Sequence, residues 1–198
     1  MYQPNCGLNG INMRQIIASI LFLFSAATYA DEYLLAGVGQ VNGSLDAPSL
    51  GASATFSSSA FELAAGYKFN DSIALEAVYI RHGSAKLVGG TADGYSAGIY
   101  ALAKTSTLCE NCSGNDWSLF GKLGIVNAIS ELKPAAGYAL TSSSSQTKVV
   151  PTISLGVEVK DHGTNPTMLR VSYYRYAGGD EAISELFSIF LVSAGMTF

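Results

Sequence analysis

Over residues 61–69 the chain sorts its side chains by odd and even position. Phe61, Leu63, Ala65, Tyr67 and Phe69 fall on one face of an extended backbone, and Glu62, Ala64, Gly66 and Lys68 fall on the other. Successive side chains of a β-strand point to opposite faces, so a period of two specifies a strand and not a helix. The pattern recurs. Ile73, Leu75, Ala77 and Tyr79 oppose Ala74, Glu76 and Val78. Val149, Pro151, Ile153, Leu155, Val157 and Val159 oppose Val150, Thr152, Ser154, Gly156, Glu158 and Lys160. Leu169, Val171 and Tyr173 oppose Arg170, Ser172 and Tyr174. Phe190, Val192, Ala194, Met196 and Phe198 oppose Ser193, Gly195 and Thr197. Residues 33–41, 95–103 and 117–127 add three strands with fainter alternation, the last placing Ser118 and Lys122 on one face. The sum is eight strands of roughly ten residues, the length that crosses a bilayer when tilted.

The polarity of the two faces decides what surrounds such a sheet. Of 198 residues, 48% are hydrophobic and only 13% charged, about half the usual charged share. That combination excludes a disordered chain. With 11 Lys and Arg against 15 Asp and Glu, no cationic excess is left to neutralise a phosphate backbone, which argues against nucleic acid as a partner. One face is apolar and aromatic, while the other collects Glu62, Lys68, Glu76, Lys122, Glu158 and Arg170 among Gly, Ala, Ser and Thr. A soluble, lipocalin-like barrel is the competing reading, but its ionic residues would face water in larger number. In a bilayer they must face inward, because a charge on the lipid face costs a few kcal/mol near the midplane. The expectation is an all-β, eight-stranded, antiparallel up-and-down transmembrane β-barrel. Its narrow bore is filled by side chains, and its interior charges are paired. Tyr33, Tyr67, Tyr79, Tyr95, Trp117, Tyr173 and Phe198 lie near strand ends, where aromatic girdles are expected.

The connections alternate in length. Residues 43–59, 83–92, 129–146 and 178–185 read as long polar loops, whereas Asn70-Asp71 and residues 161–166 read as short turns. Residues 105–114 form a longer connection at the short-turn end. Upstream, Arg14 precedes the apolar run Ile16 to Phe24, with small residues leading to Ala30. This is the pattern of a secretory signal peptide over residues 1–30, with Met13 an alternative start, leaving residues 31–198 as one barrel domain. The apolar run is too short for a spanning helix.

Reactive groups are few. Cys109 and Cys112 form a CxxC motif, which suits a small disulfide loop, a metal half-site or a redox pair. An oxidising compartment favours the disulfide, and a zinc site would need ligands beyond His82 and His162. His82 and Ser84 are the nearest Ser–His pair, read as falling in or beside a loop. No G-x-S-x-G elbow accompanies them. The expectation is a chain with no catalytic residues, no metal and no cofactor.

Several segments resemble the transmembrane domain of the outer-membrane protein A family. Gly66-Tyr67-Lys68-Phe69-Asn70-Asp71 followed by Ile73-Ala74-Leu75-Glu76 looks like the second hairpin of that family. Ser118-Leu119-Phe120-Gly121-Lys122-Leu123-Gly124 looks like its fifth strand, and Leu155-Gly156-Val157-Glu158 leading to Leu169-Arg170-Val171-Ser172-Tyr173 is similar to its sixth and seventh. Phe198, behind Ala194 and Met196, resembles the C-terminal signal presented to the outer-membrane assembly machinery. The resemblance implies a Gram-negative outer membrane, a periplasmic N-terminus, and an interior salt-bridge network at Glu76, Lys122, Glu158 and Arg170. No peptidoglycan-binding segment is expected after the barrel pattern, so anchoring to the cell wall is not part of what the resemblance implies. The implied partners are outer-membrane lipid and lipopolysaccharide, the assembly machinery, and a host or environmental ligand at the outer loops. The expected role is structural or surface-interactive (adhesin-like). A small pore or carrier is the second reading and a lipid-modifying enzyme the third.

Overall fold

The computed structural model describes residues 32–47, 52–87, 90–112, 115–134, 144–161, 167–176, 179–180 and 183–198. The expected signal peptide lies outside them. Among the described residues no helix is long and apolar enough to cross a membrane; the described residues are built from strands. These are β1 (Glu32–Ala47), β2 (Ala52–Lys68), β3 (Ile73–Leu87), β4 (Gly90–Lys104), β5 (Cys109–Cys112), β6 (Asn115–Pro134), β7 (Ser144–Asp161), β8 (Thr167–Tyr176), β9 (Gly179–Asp180) and β10 (Ile183–Thr197). Eight of them pair antiparallel in the order β1-β2-β3-β4-β6-β7-β8-β10, and β10 pairs back to β1. The sheet is therefore a closed eight-stranded barrel, as the alternation predicts. The short β5 folds against β6, and β9 against β10.

At one end β2 and β3 meet in a tight turn. Asn70 Oδ1 accepts hydrogen bonds from the amides of Ser72 (2.9 Å) and Ile73 (2.8 Å), the self-capping geometry that favours Asn in turns. Both chain ends of the barrel lie at this turn end, with the Phe198 amide donating to the Glu32 carbonyl. The other end departs from the expected long loops. Residues 43–59 are mostly strand, since β1 and β2 remain paired out to Ala47 and Ala52. Likewise β3 and β4 stay paired past a bulge to Leu87 and Gly90. The strands reach 20 residues in β6, about twice the expected length, so the barrel continues well beyond a bilayer's thickness.

The stagger of the sheet can be read from its pairings. Following paired residues from Val157 through Val171, Val192, Val38, Phe61, Arg81, Tyr95 and Ile129 leads back to β7 at Thr147, ten residues from the start (157 to 147). Ten residues over eight strands is about 1.25 residues per strand, a shear that tilts the strands by roughly 40°. Residues at equal height depart from the paired rows by that amount per strand.

With this correction, one inward residue from each barrel strand falls on a common level: Val41, Ala60, Ile80, Ser96, Val126, Val150, Tyr176 and Ile189. All eight are buried. Their outward neighbours at the same height include Gln40, Ser59, Arg81, Asn127, Arg175 and Ser188, all exposed or nearly so. Below this level the outer wall is apolar: Leu75, Ile99, Leu123, Leu155 and Val192 are exposed. On β3 the apolar band runs from Ile73 to Tyr79, a height of roughly 20 Å up to the Arg81 level given the strand rise and tilt. That is close to the band of a transmembrane barrel.

Candidate functional site

The bore below that level holds one continuous chain of polar contacts. Lys104 Nζ lies 2.9 Å from Glu158 Oε1, and Glu158 Oε2 receives Arg170 Nη2 at 2.6 Å. Arg170 Nη1 reaches Glu76 Oε1 at 2.5 Å, and Glu76 Oε2 receives Lys122 Nζ at 2.6 Å. Lys122 also donates to the Tyr174 hydroxyl at 2.9 Å. Tyr174 in turn donates to Glu62, which is also bonded by Ser193. Tyr33 donates its hydroxyl to Glu76. Glu62, Glu76 and Glu158 are thus opposed by Lys104, Lys122 and Arg170, and the formal charges cancel. Every barrel strand contributes a member.

Packing holds these groups in place. The Arg170 guanidinium stacks near Phe120 and Tyr33, at 4.7 and 5.4 Å from their ring centroids. Lys122 Nζ lies 5.2 Å from the Tyr174 ring centroid. Two glycines make room for rings inside the narrow bore: a Cβ at Gly66 would collide with the Tyr33 ring, and one at Gly124 with Tyr100. Buried charges of this kind are stable only when each is paired, and here the chain of contacts gives Glu76, Glu158, Lys104, Lys122 and Arg170 each an opposite charge, while Arg170 Nε has no hydrogen-bond partner among the described residues.

The structure places the sequence-predicted residues as follows. Glu62, Glu76, Lys122, Glu158 and Arg170 stand on the inner wall, all buried. Lys68 is also on the inner wall but half-buried at the turn end, its Nζ 5.6 Å from the Tyr33 ring centroid. Lys104 and Tyr33 belong to the network and were missed. Tyr33 corrects the expected girdle, because it faces inward at 1% exposure. Odd positions point inward on β1 but outward on β2 and β3, and the Gly-rich sequence of β1 hides the phase. Lys104 shares its phase with Tyr100 and Leu102, so the inward face of β4 shows no charge until its last residue. Tyr67, Tyr79, Tyr95, Trp117 and Tyr173 remain on the outer wall, where Tyr67 packs edge-on against Phe69 and Tyr79 sits 6.0 Å from Tyr95. Ala194, Met196 and Phe198 are exposed on the outer wall of β10 and just beyond it. The side chains of Cys109 and Cys112 lie outside the described residues, as does His162.

His82 is not in a loop. It sits within β3, opposite Gly94, half-buried on the inner wall. Its Nε2 is 3.5 Å from Ser96 Oγ, and Ser96 shares a hydrogen bond of 2.9 Å with the Tyr176 hydroxyl. Tyr176 also meets the His82 ring edge-on. A nucleophilic serine needs a base oriented by a third, acidic group, and these described partners do not supply one. Among the described residues no group of three or more His, Cys, Asp or Glu is placed to hold a metal ion.

A closed antiparallel barrel, apolar outside and ionic within over a bilayer-sized band, defines the class: this is the outer-membrane β-barrel fold. Solved barrels share it at low sequence identity. Neisserial surface protein A is 18% identical, covering 84% of this chain and 97% of that one, with a TM-score of 0.55. Ail, the attachment invasion locus protein of Yersinia pestis, is 16% identical, covering 86% and 100%, with a TM-score of 0.52. OprG from Pseudomonas aeruginosa is 12% identical, covering 85% and 96%, with a TM-score of 0.56. No protein-family model matches the chain. No curated protein matches it in sequence.

Proposed function

We propose that this chain is an integral outer-membrane barrel that conducts nothing and acts through its surface, in a structural or recognition role without catalysis. The observation that carries this reading is the filled bore. The ionic chain from Lys104 to Ser193 blocks the membrane-level half, and the buried layer of Val41, Ile80, Val126, Val150 and Ile189 blocks the level above it. Eight strands leave an interior that side chains can fill, and water needs a continuous polar path to carry ions. Above the apolar band the extended strands present Gln40, Asn42, Ser57, Ser59, Thr147 and Arg175 outward, a polar wall suited to contact with other molecules.

Ail has been solved in complex with the heparin analogue sucrose octasulfate, which supports surface recognition as a use of this fold. Here the charge on the described extension is mixed. Lys133 is engaged by Asp93 at 2.8 Å and Glu131 at 3.6 Å, so a partner met by hydrogen bonds fits this wall better than a polyanion. Purified protein in a planar bilayer tests the reading: no steady conductance is expected. A stable open channel would replace it with the pore or carrier alternative.

A further inference from the structure

The outer wall carries its cations asymmetrically. Among residues whose side chains are described, Arg81, Lys133 and Arg175 are the Lys or Arg on the outward phase, and all lie in the loop half. At the turn end Lys68, Lys104 and Lys160 point inward, and the outward charged groups there include Glu32 and Asp161. Lys133 stands more than six residues above the level of Arg81 on the tilted grid and is held by Asp93. Arg81 and Arg175 do not.

Their positions match. From Arg81 the pairing route through β2, β1 and β10 reaches Val171 on β8. The route through β4, β6 and β7 reaches Thr147, ten residues along β7 from Val157, the partner of Val171, so level positions on β8 are found half of that stagger above Val171. The point level with Arg81 is the midpoint, position 176, one residue from Arg175. The two arginines are therefore at one height on opposite walls, four strands apart in either direction. Each stands two residues above an outward tyrosine, in the repeated pattern Tyr79-Ile80-Arg81 and Tyr173-Tyr174-Arg175, with Tyr79 and Tyr173 38% and 49% exposed. Arg81 is also flanked laterally by Phe61 and Tyr95, and Tyr173 by Phe190. Asp93 feels the Arg81 charge, but its carboxylate is occupied by Lys133 and Ser84.

Resting on the outer-membrane reading above, we propose that Tyr79–Arg81 and Tyr173–Arg175 are two opposed stations for the phosphate groups of a phosphorylated glycolipid, the lipid A class, in the leaflet at the loop end. The tyrosine packs beside the upper acyl and sugar region, where such rings prefer to sit. The guanidinium above it presents paired N–H donors that match a phosphate and gain strength from its charge. The turn-end rim has no outward cation among the described side chains, which fits a leaflet without such a lipid.

The test uses the full barrel, refolded and inserted in phosphatidylcholine vesicles containing either bisphosphorylated lipid A or phosphatidylglycerol. It is then extracted in mild detergent for native mass spectrometry. The wild type is expected to retain up to two lipid A molecules, Arg81→Gln and Arg175→Gln one each, and the double variant none. Arg→Lys at either site should weaken retention by roughly tenfold without abolishing it, since the charge persists but the fork is lost. Lys133→Gln should retain two. Equal retention by the double variant and the wild type overturns the proposal, and so does equal retention of phosphatidylglycerol, which lacks the glycolipid's phosphate pair. Failure of the wild type to insert into phosphatidylcholine vesicles at all would instead overturn the outer-membrane reading, and this proposal with it.

Discussion

The two halves of this barrel obey opposite rules. In the turn half the inner wall is ionic and the outer wall greasy: Glu76, Lys122 and Arg170 are buried, while Leu75, Leu123 and Leu169 are exposed. In the loop half the inner wall is uncharged at the common level and mainly aliphatic, with Ser96 and Tyr176 among its members, and the outer wall is mostly polar: Val41, Val126 and Ile189 are buried, while Gln40, Asn127 and Ser188 face out. The same eight strands run through both halves without a break. What changes is the medium outside them. Facing hydrocarbon, the sheet must hide its charges and satisfy them internally. Facing water, it behaves as any soluble barrel and hides its methyl groups. The reversal falls near one level, between Tyr79 and Arg81 on β3 and between Tyr173 and Arg175 on β8, with Tyr95 and Val149 still exposed on the outer wall just above it.

Each half has its own failure mode. The largest effect is expected at Arg170→Ala, which strands Glu76 and Glu158 without their shared cation. A loss of about 4 kcal/mol is expected, typical of breaking a buried pair, read from urea unfolding in phosphatidylcholine vesicles. An unchanged midpoint would mean that the lower half is not held by its ion pairs. In the upper half Ile80→Ala removes methyl groups from a fully buried site and should cost about 3 kcal/mol through the cavity it leaves. If it costs nothing, the aliphatic layer does not pack. Two substitutions by arginine on the outer wall sharpen the boundary. Leu123→Arg, 66% exposed in the greasy band, should cost about 2–3 kcal/mol near the bilayer midplane. Thr147→Arg, on the same wall but above the reversal, should stay within about 0.5 kcal/mol. Equal costs would erase the boundary.

The smallest effect concerns the exposed pair above the reversal. Hydrogen bonds from Lys133 and then Ser84 hold the Asp93 carboxyl below its ordinary value of 3.8. A lowered carboxylate contributes stability above its ordinary pKa and loses it as pH falls through the folded value. Lys133→Gln and the wild type should therefore differ slightly at neutral pH and converge in urea midpoint below about pH 4.

The fold was legible because hydrocarbon enforces a strict alternation on β2, β3, β7, β8 and β10, where apolar and ionic residues separate cleanly. Where both faces are apolar or small, the phase is lost, so the sequence of β1 does not mark Tyr33 as inward and that of β4 does not single out Lys104. The long outer extensions read as loops in the sequence for the complementary reason. Residues 43–59 are rich in Gly and Ser, and a water-facing strand of such residues shows too weak a contrast to be told from a loop. The hydroxyl partners Tyr33 and Tyr174 carry no sequence mark of their role, because a tyrosine at a strand end suits a girdle and a bore equally well. The matched heights of Arg81 and Arg175 could not be read from the sequence at all, since they depend on the stagger of a closed sheet.

The ionic chain draws on every wall strand, with two members from β8. A sheet that has not closed leaves that circuit open, with Glu62 lacking Ser193, Glu76 lacking Tyr33 and the cross-bore ion pairs unmade. Partly assembled intermediates are thereby penalised, and zipping β1 to β10 becomes the step that discharges the penalty. Wiring of this kind makes assembly close to all-or-none, and gives the finished cylinder no cheap way to unzip strand by strand.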